Sequence, residues 1–355
     1  MRFFFLLLAT AVTGCQTAGY YNQAIQGQYQ VLKHRRPMNE LIADPETPAT
    51  LKEKFQLILR LREFAEAELK LPVNGHYRSY VDLHRPYVVW NVHAAPEFSL
   101  QPTTWWYPVV GSLKYRGYFS ESDAGHYAEK LKRKGFDIYV DGVEAYSTLG
   151  WFKDPVLNTF IHHNESELAE TIFHELAHQR VFVRGDTDFN EAFATAVGQE
   201  GVRRWLLASG DSTTYETYQI ALHRNEQYVQ LIQATRRELQ SLYGDEKSEK
   251  ATSTSISVAE KRQQKEIIIG QLRRNYEQVK TRWGGFAGYD DWFAHRVNNA
   301  QLNTVATYYD LVPAFQHLLQ QNNGELEKFY RGVRVLGKLP KAERHRKLLR
   351  QEKDC

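Results

Sequence analysis

His174-Glu175-Leu176-Ala177-His178, followed after twelve residues by Glu191 in the run Asn190-Glu191-Ala192-Phe193-Ala194-Thr195, is the stretch that decides how this chain is read. On a helix, residues four apart lie one above the other, so the imidazoles of His174 and His178 reach a single ion. Glu175 is turned about a quarter of the way round, near enough to meet a water on that ion without ligating it. Asn164 with Glu167 three residues on is a capping-box variant that starts the helix, and Gly185 can end it. Leu168, Ile172 and Leu176 recur every four residues with Phe173 alongside, so the face away from the histidines packs on a core. A turn through Arg184-Gly185-Asp186 then returns the chain into a second helix that carries Glu191. That helix is rich in small residues: Ala192, Ala194, Ala196, Gly198 and Gly201. Each interior glycine costs about 1 kcal/mol against alanine, and close approach to the first helix is the compensation.

Two His and one Glu leave a fourth ligand position open, the arrangement of a catalytic zinc site rather than a closed structural one. Zinc lowers the pKa of a bound water to about 7 and polarises a carbonyl. Glu175 is the expected general base, accepting the water proton and passing it to the leaving amine. Asn190, Asp186 and Asp188 are each available to hydrogen-bond the ligand imidazoles, and the sequence does not choose among them.

The surroundings are consistent with an exported enzyme. The 355 residues are 42% hydrophobic, enough for a sizeable core. A net charge of only +3 offers no field for nucleic acid. Met1-Arg2 and the apolar run Phe3 to Val12 have the layout of a secretory signal peptide over residues 1–14, too short to cross a bilayer as a mature helix. Cys15 and Cys355 are the only cysteines, so the mature fold holds no internal disulfide and relies on packing and a metal.

Along the chain, Tyr20 to Leu32 and Pro48 to Leu69 read as helices, placing a helical region over 15–75. Short β-rich runs follow, Tyr87-Val88-Val89-Trp90 and Trp106-Tyr107-Pro108-Val109-Val110, then a helix over Ser122 to Lys134 and a strand from Phe136 to Val140, which Glu144 to Leu149 extends beyond Gly142. These belong to a catalytic core over 76–210. A helical C-terminal lobe spans 211–337, interrupted by a polar, mobile insertion near 245–257. The basic stretch 338–355 reads as a solvated end. The fold expected is α+β, with the active-site helix under a mostly antiparallel sheet.

The pair of motifs resembles the gluzincins, and Asn-Glu-x-Phe-Ala-Thr looks like the run of the zinc aminopeptidases, although the gap of twelve residues is shorter than theirs and no Ser-Asp follows Glu191 as in the thermolysin pattern. Longer landmarks are similar to a predicted-aminopeptidase family of bacterial lipoproteins: Val88-Val89-Trp90-Asn91, Tyr115-Arg116-Gly117-Tyr118-Phe119, Ala145-Tyr146-Ser147-Thr148-Leu149-Gly150-Trp151 and Asn298-Asn299-Ala300. Val12-Thr13-Gly14-Cys15 resembles a lipobox, with Cys15 the lipidated residue and Gln16 favouring the outer membrane. The likeness implies a zincin-like fold and a Zn2+ peptidase. It also implies a strand near Glu144 to Gly150 that binds substrate backbone through Tyr146, Ser147 and Thr148. A downstream tyrosine would stabilise the oxyanion, with Tyr308 preferred to Tyr309, His295 and Tyr289. Glu144 and Asp154 are the acids considered for a substrate amine. The reading is a lipid-anchored envelope enzyme, facing the periplasm and taking peptide substrates. Its alternatives are a zinc amidase of cell-wall peptide and a non-enzymatic lipid-anchored envelope protein with a structural or vestigial metal site.

Overall fold

A computed structural model describes residues 2–244 and 256–353, with side chains described for 17–244 and 256–350. The chain opens with α1 (Arg2–Lys33), β1 (Arg36–Pro37), α2 (Met38–Ala43) and α3 (Ala49–Ala67). Strands β2 (Ser79–Val81), β3 (Val89–Pro96), β4 (Trp105–Tyr107), β5 (Gly111–Leu113) and β6 (Arg116–Tyr118) lead to α4 (Glu121–Lys132), β7 (Phe136–Val143) and β8 (Val156–Leu157). Everything beyond is helical: α5 (Glu165–Arg180), α6 (Thr187–Ser209), α7 (Ser212–Tyr243), α8 (Val258–Arg282), α9 (Asp290–Ala294), α10 (Asn299–Tyr309), α11 (Val312–Gln321), α12 (Leu326–Gly337) and α13 (Lys341–Lys353). The fold is α+β. Among the described residues no helix is long and apolar enough to cross a membrane. The proposed signal segment and Cys15 fall where side chains are not described, and Cys355 and residues 245–255 of the expected insertion lie outside the described residues. Ser257, the last residue of that insertion, caps α8.

The β structure is three small sheets rather than one. β6-β3-β7 is antiparallel, β4-β5 is a hairpin, and β1-β2-β8 combines an antiparallel with a parallel pair. Prolines and glycines between short runs keep them from merging. In the central sheet, Asn91 pairs with Gly117 and Asp141, so parity sends Asn91, His93, Tyr115 and Asp141 to one face. The other face, carrying Trp90, Val92 and Tyr118, packs on α4 through Ala124, Ala128 and Leu131.

Below the sheet, α5 and α6 form a helical hairpin. Asn164 accepts from the Glu167 amide (3.0 Å) and Glu167 accepts from the Asn164 amide (3.2 Å), closing the capping box that starts α5. Leu168, Ile172, Phe173 and Leu176 are fully buried in the main core with Phe189, Phe193, Phe315 and Phe329. The turn is stapled by Asn190, whose side chain accepts from the Val183 amide and donates to the Val183 carbonyl, both at 2.8 Å. Gly185 turns the chain at φ +77, a left-handed conformation that suits glycine.

Two expectations need correction. The strand stops at Val143 instead of running through Glu144 to Leu149. Its partner β3 begins at Val89, just beyond Pro86, so no ladder exists to extend, and the chain turns away at Leu149 and Gly150 with positive φ. Nor is the basic tail a solvated end. Its helix α13 docks back on the core: Leu348 is fully buried, and Arg344, His345 and Lys341 converge on Asp186 at the start of α6. Amphipathic spacing within α13 does not show this, because the counter-charge lies more than 150 residues away.

Asp186 is 1% exposed. Burial pushes its carboxyl up, but His345 and Lys341 outweigh burial and hold it below the ordinary aspartate value. A depressed carboxyl contributes stability that is complete above its unfolded value of about 3.9 and is lost as pH falls through the lower folded value. Asp186→Asn leaves Arg344 buried without its counter-charge and is expected to cost about 3–5 kcal/mol in urea unfolding at neutral pH, with the difference from wild type shrinking in acid. At Gly201 an added Cβ would sit 2.6 Å from Phe173 Cδ2 and 2.8 Å from Leu69 Cδ1. Gly201→Ala is therefore expected to lose about 1 kcal/mol net in the same assay, overpacking exceeding the gain in helix propensity.

Candidate metal centre

The α5–α6 hairpin brings three donor atoms together. His174 Nε2 and His178 Nε2 are 3.2 Å apart, and Glu191 Oε2 lies 3.3 Å from the first and 3.5 Å from the second. Tetrahedral ligation with bonds of about 2.0–2.1 Å spaces donor atoms about 3.3 Å apart, which is the size of this triangle. Hydrogen bonding alone satisfies the trio poorly. If both rings donate from Nε2 to the shared carboxylate oxygen, the two N–H groups confront each other across 3.2 Å. A cation among the three removes that conflict. The histidines also sit in the last two turns of α5, where the carbonyl end of the helix dipole favours positive charge. The His-His-Glu set therefore suits a divalent metal ion.

Burial drives the electrostatics. It pushes the Glu191 carboxyl up, yet His178 and His174 overcome burial and lower it to about 2. Burial depresses His178, and Glu191 reverses that and raises it above the usual imidazole value. Glu175, 9% exposed, is raised chiefly by burial, with the two histidines pulling it partly back.

These residues floor a cavity of about 340 Å³. The sheet supplies Asn91, Tyr115 and Gly117, the β4–β5 hairpin supplies Tyr107, Val110 and Leu113, and α10 supplies Tyr308. The Tyr308 ring lies 6.3 Å from that of His174 at 28°. The Glu191 charge, together with burial, raises the Tyr308 phenol well above its ordinary value.

The other expected residues divide. Tyr146 and Ser147 line the cavity, whereas Thr148 turns its hydroxyl and amide to Asp154, at 2.6 and 3.1 Å. Tyr309 points to a separate cavity beside Glu170, His295 is exposed, and Tyr289 stacks on Tyr228 at 4.2 Å. Glu144 pairs with His163 and Asp154 with His76 and Thr148, so neither acid faces the cavity. Asn190, Asp186 and Asp188 do not support the imidazoles: Asn190 staples the turn, Asp186 holds α13 and Asp188 pairs with Lys114. His178 Nδ1 is buried without a hydrogen-bond partner.

Tyr115 was missed as a site residue. Burial, then Glu191 and Glu175, raise its phenol far above the normal value. Its run stood out in the sequence, but its facing depends on the β3–β6 register, which places it beside His93, with ring centroids 5.9 Å apart.

An α+β body with a His-His-Glu cluster beside a buried glutamate and two tyrosines defines a candidate metallohydrolase. The chain belongs to the family described as "Putative aminopeptidase", whose model matches residues 19–348. This membership supports a peptidase hydrolase. Comparison with curated proteins and with solved structures finds no match.

Metal analysis of the purified protein is expected to find a single divalent ion per chain. Glu191→Ala and His178→Ala are expected to lower occupancy at least about tenfold in dialysis against a buffered metal, while Glu175→Gln retains it.

Proposed function

We propose that this chain is a zinc-dependent, aminopeptidase-like enzyme of gluzincin type, with His174, His178 and Glu191 holding the metal. The observation that carries the reading is the convergence of the three donor atoms in a cavity that also presents Glu175 and Tyr308. A zinc ion held there supplies a Lewis acid that polarises the scissile carbonyl and acidifies a water.

The chain's own residues do the rest. Glu175 is raised by burial toward the working range of a general base; it takes the proton of the attacking water and delivers it to the departing amine. Tyr308 keeps its proton because of Glu191 and burial, so it is a hydrogen-bond donor for the oxygen on which negative charge develops. Tyr146 and Ser147 lie along the cavity wall and are the proposed peptide contacts. The polar face of the β6-β3-β7 sheet across the cavity from α5 supports a zincin-like arrangement.

The N-terminal residues support an envelope location: Met1-Arg2, the apolar run to Val12 and Cys15 form a lipoprotein signal, with the enzyme anchored to the outer membrane and facing the periplasm. An amidase of cell-wall peptide would share the same centre, and a substrate screen separates the two.

Glu175→Gln is expected to lower kcat at least about a thousandfold on a peptide library while zinc content stays at the wild-type level. Unchanged turnover would remove Glu175 as base and leave a structural metal site. Tyr308→Phe is expected to lower kcat about a hundredfold with little change in KM, as read from steady-state kinetics.

A further inference from the structure

Helix α1 turns one face to the fold and another outward. The inner face carries Tyr20, Ala24, Gly27 and Val31 at helical spacing. Val31 is 1% exposed, Tyr20 packs edge-on against Tyr118, and at Gly27 an added Cβ would fall 2.1 Å from Phe119 Cγ. The outer face carries Tyr21, Ile25 and Tyr29, again four apart, and these are 36%, 68% and 57% exposed. Lys33 continues that row by another four residues and is exposed as well. No acid lies on α1 itself. Asp82 and Asp123 border a groove on its adjoining flank, which Gln23, Gln26 and Gln30 line from the helix along with Tyr29.

A helix face turned to water is ordinarily polar or charged. Here Thr17 to Leu32 hold no charged residue, in a chain of which 25% is charged, and the cations Lys33, Arg35 and Arg36 follow at once. Tyrosine and isoleucine along one face, with cations at its end, is the composition of a helix that lies in a membrane interface. The rings sit at headgroup level and the lysine reaches lipid phosphates. Reach favours lipid over another protein as what meets this row. Cys15, the residue proposed to carry the lipid, stands six residues before Tyr21. Six residues span at most about 21 Å whatever their conformation. A lipid on Cys15 therefore keeps Tyr21 within that distance of the headgroups, so the row meets them at high effective concentration.

We propose that the Tyr21, Ile25 and Tyr29 face of α1, ending in Lys33, rests on an anionic phospholipid surface. Tyr20 and Ala24 line the metal cavity from the other side of the same helix, so this contact holds the cavity one helix diameter, about 10–12 Å, from the headgroups. The choice of lipid as occupant rests on the lipid-anchor reading above and is independent of the peptidase chemistry.

The test uses the mature chain, residues 15–355, with Cys15→Ser so that no acyl chain contributes. It is mixed with vesicles of phosphatidylcholine, either alone or with about 30% phosphatidylglycerol, and sedimented. The chain is expected to sediment with the anionic vesicles. Ile25→Ser with Tyr29→Ser is expected to lower its partition coefficient on them at least about tenfold. Lys33→Gln is expected to lower it about fivefold, and to have no effect on neutral vesicles. Ile220→Ser, at an isoleucine 52% exposed on α7, is expected to change nothing. Absence of sedimentation with either vesicle overturns the lipid surface. So does equal binding by the Ile25→Ser, Tyr29→Ser chain with unaltered circular dichroism. A dimer in solution that this pair of substitutions dissociates also overturns it, and gives the face to a second copy. Mass spectrometry of residue 15 in the wild-type chain tests the anchor separately. An unmodified Cys15 with vesicle binding retained overturns the anchor and leaves the surface standing, whereas an acylated Cys15 without vesicle binding does the reverse.

Discussion

The packing of α6 onto α5 across a six-residue turn is the constraint on which the rest of this molecule depends. Two imidazoles on one helix cannot form a three-donor site by themselves; a carboxylate has to be delivered from outside the helix to within hydrogen-bonding distance of both. The Asn190 amide does this indirectly, by clamping Val183 through two hydrogen bonds and so fixing the first turn of α6, where Glu191 is the next residue. The apolar faces of both helices then carry the hairpin into the main core beside Phe315 and Phe329. Position at the centre is thus bought with burial far from it.

From that hairpin the distribution of charge follows. Three donors crowded within 3.5 Å and largely buried shift one another, Glu191 downward and His178 upward. Glu175 and Tyr308, beside them, are both raised, so the cleft holds a basic carboxylate and a protonated phenol side by side. The proposed hydrolase would need that pairing, a group to take a proton and a group to donate a hydrogen bond, and a single buried cluster raises both.

One terminal helix fastens to this hairpin and the other borders the cavity that it floors. Helix α13 fastens to Asp186 at the start of α6, and α1 lies against the cavity above α5. Neither contact concerns the three donor side chains themselves. One stabilises the turn that presents Glu191, and the other shapes the space that the donors line.

What could be read without a fold was local. The capping box at Asn164, the four-residue repeat of Leu168, Ile172 and Leu176, and the spacing of His174, His178 and Glu191 all depend on neighbours within a few turns, and helix geometry translates such spacing directly into direction. The α+β character and the helical second half were legible for the same reason. Tertiary structure alone decided which tyrosines face the cavity, since Tyr115 depends on strand register and Tyr308 on where α10 crosses the sheet. It also turned Thr148 to Asp154, ended β7 at Val143 for want of a partner strand, and folded the basic tail onto Asp186. Each of these is a pairing between groups far apart in the chain, and the periodicity of one segment carries no record of what a distant segment will place beside it.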